Sequence, residues 1–266
     1  MGAAGRATAI LVLALIGGFA LASSTTASSG EDLLPDLDQA VPRDLEVQRV
    51  KTGDGTRYRL GFESAVMNLG DGPLIVDGTR TSGEKMRADQ VIKSSDEDSR
   101  VRRDVGRLRF TRSEDHRHWH LLGFDRYELR LPDDGSLVTP DRKTGFCLGD
   151  RYDAVPGSTP PGGPDQAFYN TSCGLSQPKL RSLREGISVG YGDDYRAQLE
   201  GQFLDVTKVP AGRYLLVHRA NQRRRLEETS YENNDASVLF ELRRESGETP
   251  TVEVLESCSD TATCEG

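Results

Sequence analysis

Three of the four histidines in this 266-residue chain fall within five positions, as His116, His118 and His120. Alternate residues of a β-strand point to one face, whereas on a helix the middle ring would face away from the other two. Imidazole nitrogens suit copper or zinc better than calcium or magnesium. The spacing therefore predicts a transition-metal site on a strand. Since a strand rises about 3.3 Å per residue and metal–nitrogen bonds are about 2 Å, that strand must curve or bulge.

The elements that would position this cluster are strands. Polar and apolar residues alternate at 58–62, 108–110 and 124–131, and turn clusters such as 132–135 separate the alternating segments. We expect an all-β fold, an antiparallel β-sandwich-like domain with long loops and little helix. Two short segments, Glu84 to Ser94 and Lys179 to Arg184, are the only helix candidates.

The N-terminus carries the features of a secretory signal. An apolar run follows Arg6 and ends at Ala20-Leu21-Ala22, and it is shorter than the roughly 20 residues of a membrane-spanning helix. We expect a signal peptide at 1–22, a linker at 23–48, the β domain at 49–256 and a tail at 257–266. The protein would then be secreted and extracellular, without stable membrane insertion after signal removal.

Net charge limits the expected classes of partner, and cysteine content bears on the expected compartment. The chain has 34 Lys and Arg against 42 Asp and Glu, a net charge of -8, which argues against nucleic-acid binding. Four cysteines in a secreted protein are expected to be oxidised, and they allow three pairings. Proximity along the chain favours Cys147 with Cys173 and Cys258 with Cys264.

Five motifs, in the same order along the chain, resemble the lysyl oxidase family. The H-x-H-x-H segment is similar to the family's copper site, and Lys143 opens a K-x-x-F-C-L-x-D stretch at 143–150. Tyr195 matches the cofactor tyrosine of the family within a segment that continues at 202–207. The remaining two motifs are G-L-S at 174–176 and the Glu- and Asn-containing stretch at 228–234. The resemblance covers about 107–242.

The resemblance implies a cofactor set and a reaction. Copper(II) would be held by His116, His118 and His120, and a lysine tyrosylquinone would form from Lys143 and Tyr195. The family activity is oxidative deamination of primary amines by O2, which yields an aldehyde, ammonia and hydrogen peroxide. The expected partner is therefore a primary amine, either a small molecule or a lysine side chain of a protein.

The general base is the part of this chemistry that the motifs leave open. No histidine follows the copper motif in 123–127, so Asp125, Asp194 and Asp205 are the candidate bases. Glu114 or Asp115 could orient metal-bound histidines, since carboxylates commonly accept their second ring N–H.

Two alternatives to an oxidase remain at this point. The first is a non-catalytic extracellular β-sandwich that binds copper or a partner through the histidine strand. The second is a zinc hydrolase with three histidines and a water, although no motif supplies a dedicated glutamate base. His218, alone on its strand, is expected to be structural.

Overall fold

The computed structural model describes residues 1–2, 30–112, 117–140, 145–170 and 172–265. Most of the predicted signal peptide, and also Glu114, Asp115, His116 and Lys143, lie outside these ranges. The described residues form strands and one turn of 3-10 helix, at Leu199–Gly201. The strands are β1 (Asp32–Leu33), β2 (Leu37–Gln39), β3 (Arg43–Thr52), β4 (Gly55–Asn68), β5 (Leu74–Ser82), β6 (Lys85–Ser94), β7 (Ser99–Phe110), β8 (Trp119–Leu121), β9 (Asp125–Arg130), β10 (Leu137–Pro140), β11 (Tyr152–Asp153), β12 (Ser182–Ile187), β13 (Tyr191–Tyr195), β14 (Phe203–Asp205), β15 (Gly212–Ala220), β16 (Asp235–Arg243) and β17 (Thr251–Cys258).

The strands assemble into three sheets. The first has the order β12-β5-β6-β7-β8, with β1 added beside β6, and the second has the order β10-β9-β15-β16-β17. In the third, of order β11-β13-β4-β14, the long strand β4 also pairs with β2 and β3. Every one of these pairings is antiparallel. The predicted all-β antiparallel fold with little helix is therefore confirmed.

One continuous apolar core joins the three sheets. Its largest fully buried side chains include Trp119 of the first sheet, Tyr127 of the second and Phe62 of the third. Burial of an aromatic side chain of this kind contributes about 1.5–3 kcal/mol. Trp119 also donates its indole N–H to the carbonyl of Gln177 at 3.1 Å, so its polar atom is satisfied. The residue between two of the histidines is thus an anchor for their strand.

Both helix candidates proved wrong, because the segments are strands. Residues 85–94 form β6. In the second segment, residues 179–181 lie in the loop before β12 and residues 182–184 begin that strand. β6 hydrogen-bonds on both sides, to β5 and to β7, and this pairing outweighs the weak local preference for helix. Among the described residues, no helix has the length and apolar character that crossing a membrane requires.

The β domain begins before the boundary expected at 49. Within the segment expected to be a linker, 23–48, β1 pairs with β6 and β2 pairs with β4, and β3 starts at Arg43. Leu37 is fully buried in the core. β1 and β2 are only two and three residues long, and their stability comes from the longer strands with which they pair.

The two disulfides predicted from proximity are confirmed. Cys147–Cys173 has a Cα–Cα distance of 5.7 Å, and Cys258–Cys264 has one of 5.8 Å. Glu256 lies close to the second pair, but bonded sulfurs are not thiolates and do not provide a metal site there.

Candidate metal and cofactor site

The histidine segment is held along both of its edges. β8 pairs with β7 so that His120 lies opposite Arg109, and the amide of Thr111 donates to the carbonyl of His118 at 2.8 Å. On the other edge, the amide of Trp119 donates to the carbonyl of Cys173 at 2.9 Å. His118 lies in a bend immediately before β8, and only His120 lies within the strand.

This bend brings two imidazole rings together. The Nε2 atoms of His118 and His120 are 2.7 Å apart, and their ring centroids are separated by 4.7 Å. Residues two apart on a flat strand have Cα atoms about 6.6 Å apart, so the rings converge because the chain curves, as the spacing requires. The third predicted ligand, His116, lies outside the described residues.

The surroundings of the two described histidines suit a metal ligand. Burial, and after it the positive charge of Arg151, lower the pKa of His118 to about 4, so the ring is neutral at physiological pH. Thr111 places its hydroxyl oxygen 3.2 Å from Nδ1 of His120, which orients the ring with Nε2 toward His118. Converging imidazole nitrogens are donors that copper and zinc prefer, and these two residues would hold such an ion.

The chain that follows Lys143 contacts the histidine strand directly. Leu121 and Phe146 exchange two backbone hydrogen bonds, of 2.7 and 3.0 Å, in an isolated antiparallel bridge. Gly145 precedes this bridge with a φ of 134°, and a Cβ atom there would lie 2.3 Å from the carbonyl oxygen of Leu121. Glycine is thus required for the close approach of the two segments.

The same segment also contacts Tyr195. The Tyr195 hydroxyl accepts a hydrogen bond from the amide of Cys147 at 2.9 Å, and its ring packs edge-on against Phe146 with centroids 4.5 Å apart. Burial raises the pKa of Tyr195 well above its usual value, and the charge of Asp193 adds to this effect. Residues 145–147 therefore lie between the histidine strand and the predicted cofactor tyrosine.

Arg151 connects the two halves of the site, and the motifs gave no indication of it. Its Nε atom lies 3.7 Å from a carboxylate oxygen of Asp193, and its NH2 group lies 3.3 Å from Sγ of Cys147. Its charge lowers the pKa of His118 and also opposes the rise in the pKa of Tyr195. Arg151 directly follows the K-x-x-F-C-L-x-D stretch, but this position does not reveal what the side chain contacts.

Of the three candidate bases, Asp125 contacts the strand partner of Tyr195. It is buried and accepts a hydrogen bond of 3.2 Å from the hydroxyl of Ser64, which is the residue of β4 paired with Tyr195. Asp194 is adjacent to Tyr195 in the sequence, and strand alternation therefore places the two side chains on opposite faces of β13.

Asp205 lies away from this region. It accepts a hydrogen bond from the amide of Thr207 at 2.9 Å and lies 3.6 Å from Arg57. Its partner on β4 is Arg59, five residues from Ser64, or roughly 17 Å along an extended strand. The role of Asp205 is therefore local to its own turn.

Sequence reasoning missed two buried acids near Tyr195. Asp193 precedes the tyrosine by two residues, so strand alternation places both side chains on one face, and this signal was available from the sequence. Glu185 comes from β12 and is fully buried, and its charge also acts on Tyr195. His218 lies in the core against Phe62 and Tyr127, with ring centroids 5.0 and 4.4 Å away.

The stretch at 228–234 holds the N-terminal strands in place. Glu228 accepts hydrogen bonds from the amide of Leu37 at 3.0 Å and from the side chains of Asn221 and Asn234 at 2.6 and 2.8 Å. Burial raises the pKa of Glu228 to about 7, while these hydrogen bonds act in the opposite direction. The motif thus has a structural function in this chain.

Comparison with known proteins agrees with this arrangement. The family model described as lysyl oxidase matches residues 79–249, which is more than half of the chain. The chain belongs to the lysyl oxidase family. The matched range includes the histidine segment, Lys143 and Tyr195, and it extends beyond the 107–242 region that the motifs indicated.

Curated relatives are distant and match over part of their length. Lysyl oxidase homolog 2 of Gallus gallus is 31% identical over 124 residues, which cover 45% of this chain and 13% of the relative. Lysyl oxidase homolog 2A of Danio rerio is 30% identical over 137 residues, which cover 51% of this chain and 16% of the relative. Lysyl oxidase homolog 2 of Bos taurus is 32% identical over 120 residues, covering 45% and 13%. The similarity is thus limited to a small part of these longer proteins.

Proposed function

We propose that this member of the lysyl oxidase family is a secreted, copper-dependent amine oxidase that converts primary amines to aldehydes. The cofactors would be copper(II), bound by His116, His118 and His120, and a lysine tyrosylquinone made from Lys143 and Tyr195. The observation that carries the proposal is the position of residues 145–147. They begin two residues after Lys143, pair with the histidine strand and donate to the Tyr195 hydroxyl.

When bound, copper and the quinone would supply the electron acceptor for the amine, and O2 would be the final acceptor. Overall, R-CH2-NH2, O2 and water would give R-CHO, NH3 and H2O2. The chain's own residues provide the surroundings. The lowered pKa of His118 keeps a neutral nitrogen available as a ligand, and Thr111 orients His120. The tyrosine is 5% exposed, so water is largely excluded from its ring.

Proton transfer from the α-carbon of the substrate would need a base within reach of the quinone. We assign this role to Asp125 ahead of Asp194 and Asp205, because Asp125 is buried and hydrogen-bonded to the strand partner of Tyr195. The family's substrate class suggests lysine side chains of proteins or small primary amines. The net charge of -8 favours approach of such cationic substrates.

Secretion is part of the proposal. Two disulfides agree with an oxidising compartment, where such bonds persist. The sequence features of a signal peptide at 1–22 also indicate secretion. Separately, no nucleic-acid partner is expected.

The deciding experiment is peptide mass spectrometry on protein matured with copper and O2, with and without phenylhydrazine. We expect a covalent link between the peptides that contain Lys143 and Tyr195, and a hydrazine adduct on the linked species. Lys143→Ala should abolish both the link and amine turnover while copper binding is retained. The matched control is Lys208→Ala, which removes an exposed lysine of another loop and should leave all three properties unchanged.

Unmodified Lys143 and Tyr195 peptides in a protein that demonstrably binds copper would contradict the proposal. That outcome would favour the non-catalytic copper-binding β-sandwich instead. Zinc retained in preference to copper, together with hydrolytic activity, would favour the hydrolase.

A further inference from the structure

Two carboxyl groups are buried beside Tyr195, and the function proposed above assigns no role to either of them. Glu185 of β12 is 0% exposed, and Asp193 of β13 is 1% exposed. Both charges act on the Tyr195 hydroxyl and disfavour its ionised form. Ionised carboxylates are rarely buried without compensating partners, because the loss of hydration is costly.

In the part of the chain that the structure describes, the groups around Glu185 compensate only weakly for its burial. Neither of its carboxyl oxygens has a hydrogen-bond partner there. Opposite it on the neighbouring strand β5 is Val76, which is apolar. The backbone amide of Leu148 and the guanidinium of Arg151 favour the charged form, but their effect is smaller than that of burial.

Arg151 is engaged by the other acid. Its Nε atom lies 3.7 Å from Oδ1 of Asp193, and its side chain also reaches Sγ of Cys147. Burial first, and then the negative charge of Asp193, raise the pKa of Glu185 well above its usual value. Three described groups therefore act on the charge of Glu185: Asp193 on β13, and the Leu148 amide and Arg151 on the loop that follows the Leu121–Phe146 bridge.

We propose that Glu185 is a positioning residue that stays neutral by holding a proton, and that it thereby leaves Arg151 and Asp193 as a balanced pair beside Tyr195. A neutral Glu185 adds no negative charge beside the phenol, so the Tyr195 hydroxyl ionises more easily than it would beside a charged Glu185. Quinone formation from tyrosine requires this ionisation. When Glu185 ionises at higher pH, the added negative charge disfavours the phenolate, and quinone formation slows. This role rests on the proposed function, whereas the protonation of Glu185 does not.

The first test uses the metal-free protein and does not depend on activity. Glu185→Gln replaces the neutral acid by a neutral group of the same shape. A carboxyl whose pKa is raised by folding stabilises the fold fully below its unfolded pKa, and this stability is lost as pH rises toward the folded value. The folding constant of the wild type should therefore fall relative to that of Glu185→Gln by about tenfold per pH unit above roughly pH 4.5. Urea titrations between pH 4 and 8 measure this difference.

The control variant should behave in the opposite way. Glu227 is ion-paired with Arg100 and Arg102, and these hydrogen bonds lower its pKa. Glu227→Gln should therefore lose stability relative to the wild type as pH rises through the range where free glutamate ionises. Should Glu185→Gln fail to fold, Glu185→Met provides the same comparison, because a neutral acid without hydrogen bonds tolerates an apolar group of similar size.

The second test follows quinone formation by phenylhydrazine adducts at pH values on both sides of the point where the stability loss of the wild type levels off, because that point marks ionisation of Glu185 in the folded protein. The wild-type rate should decline as Glu185 ionises, and Glu185→Gln should lack that decline. A stability difference that does not change with pH would overturn the protonation of Glu185, and identical rate profiles would overturn its role at Tyr195. A wild type that forms no quinone at any pH overturns the proposed function and that role together, while the stability test still decides whether Glu185 holds a proton.

Discussion

Gly145 provides the sharpest test of how the site is assembled. Substitution by alanine would place a Cβ atom 2.3 Å from the carbonyl oxygen of Leu121, well inside van der Waals contact. The bridge between Leu121 and Phe146 would have to open, with loss of its two hydrogen bonds. At about 0.5–1.5 kcal/mol for each bond, we expect about 1–3 kcal/mol of destabilisation in addition to backbone strain.

Alanine at a positive φ can be tested without a steric clash at another glycine. Gly135 has a φ of 66° in a turn, and a Cβ atom there would meet nothing within 4 Å. Gly135→Ala should therefore cost only the conformational penalty, about 1–2 kcal/mol. Urea denaturation of both variants gives the difference, which corresponds to about 2–4 °C in Tm for each kcal/mol.

Gly145→Ala should also slow quinone formation, since the bridge holds the chain after Lys143 against the histidine strand. Equal stability losses in Gly145→Ala and Gly135→Ala, with quinone formation unaffected in both, would refute the reasoning that this close approach assembles the site.

Two further predictions concern the groups that support the site. Thr111→Val removes the hydroxyl 3.2 Å from Nδ1 of His120 and should weaken copper binding about 10–100-fold at unchanged fold, as measured by competition with a chelator. Replacing both Cys147 and Cys173 by serine opens a loop of 26 residues and should cost about 3.5 kcal/mol, against about 2.2 for the separation of 6 in the Cys258–Cys264 pair. Only the first disulfide variant should impair quinone formation, because that disulfide holds the segment whose backbone amide, at Cys147, donates to the Tyr195 hydroxyl. Equal impairment in both would contradict this.

The fold class could be predicted because alternation is a local property. Residues 124–131 alternate in sequence, and they form β9 with alternate side chains in the core. The segment at 85–94 could not be assigned in this way. Its central residues, 88–92, are all buried, so both faces of the strand are covered there. A run that is buried on both faces loses the period of two from which a strand is recognised.

In the candidate site too, residues in local motifs could be predicted and residues brought in by tertiary contacts could not. The histidines and Tyr195 were predicted from short motifs, and Asp193 could have been inferred from strand alternation. Glu185 and Arg151 could not, because their relation to Tyr195 depends on β12, β13 and the loop at 145–151 meeting in three dimensions. No spacing in the sequence encodes that contact, and Glu185 is separated by ten residues and a turn from the tyrosine that it influences.

The loop after Lys143 explains why the family motif has its particular residues in this chain. Gly145 permits the approach to Leu121, Phe146 packs against the ring of Tyr195, and Cys147 forms the disulfide with Cys173. Asp150 closes the loop, since its carboxylate accepts hydrogen bonds from the amide and hydroxyl of Ser188, both at 2.8 Å, and from two further amides, at 168 and 169. Each position thus meets a separate packing or hydrogen-bonding requirement. A chain could therefore retain these residues for folding alone, so the motif supports an oxidase only in combination with the converging histidines and a lysine at 143.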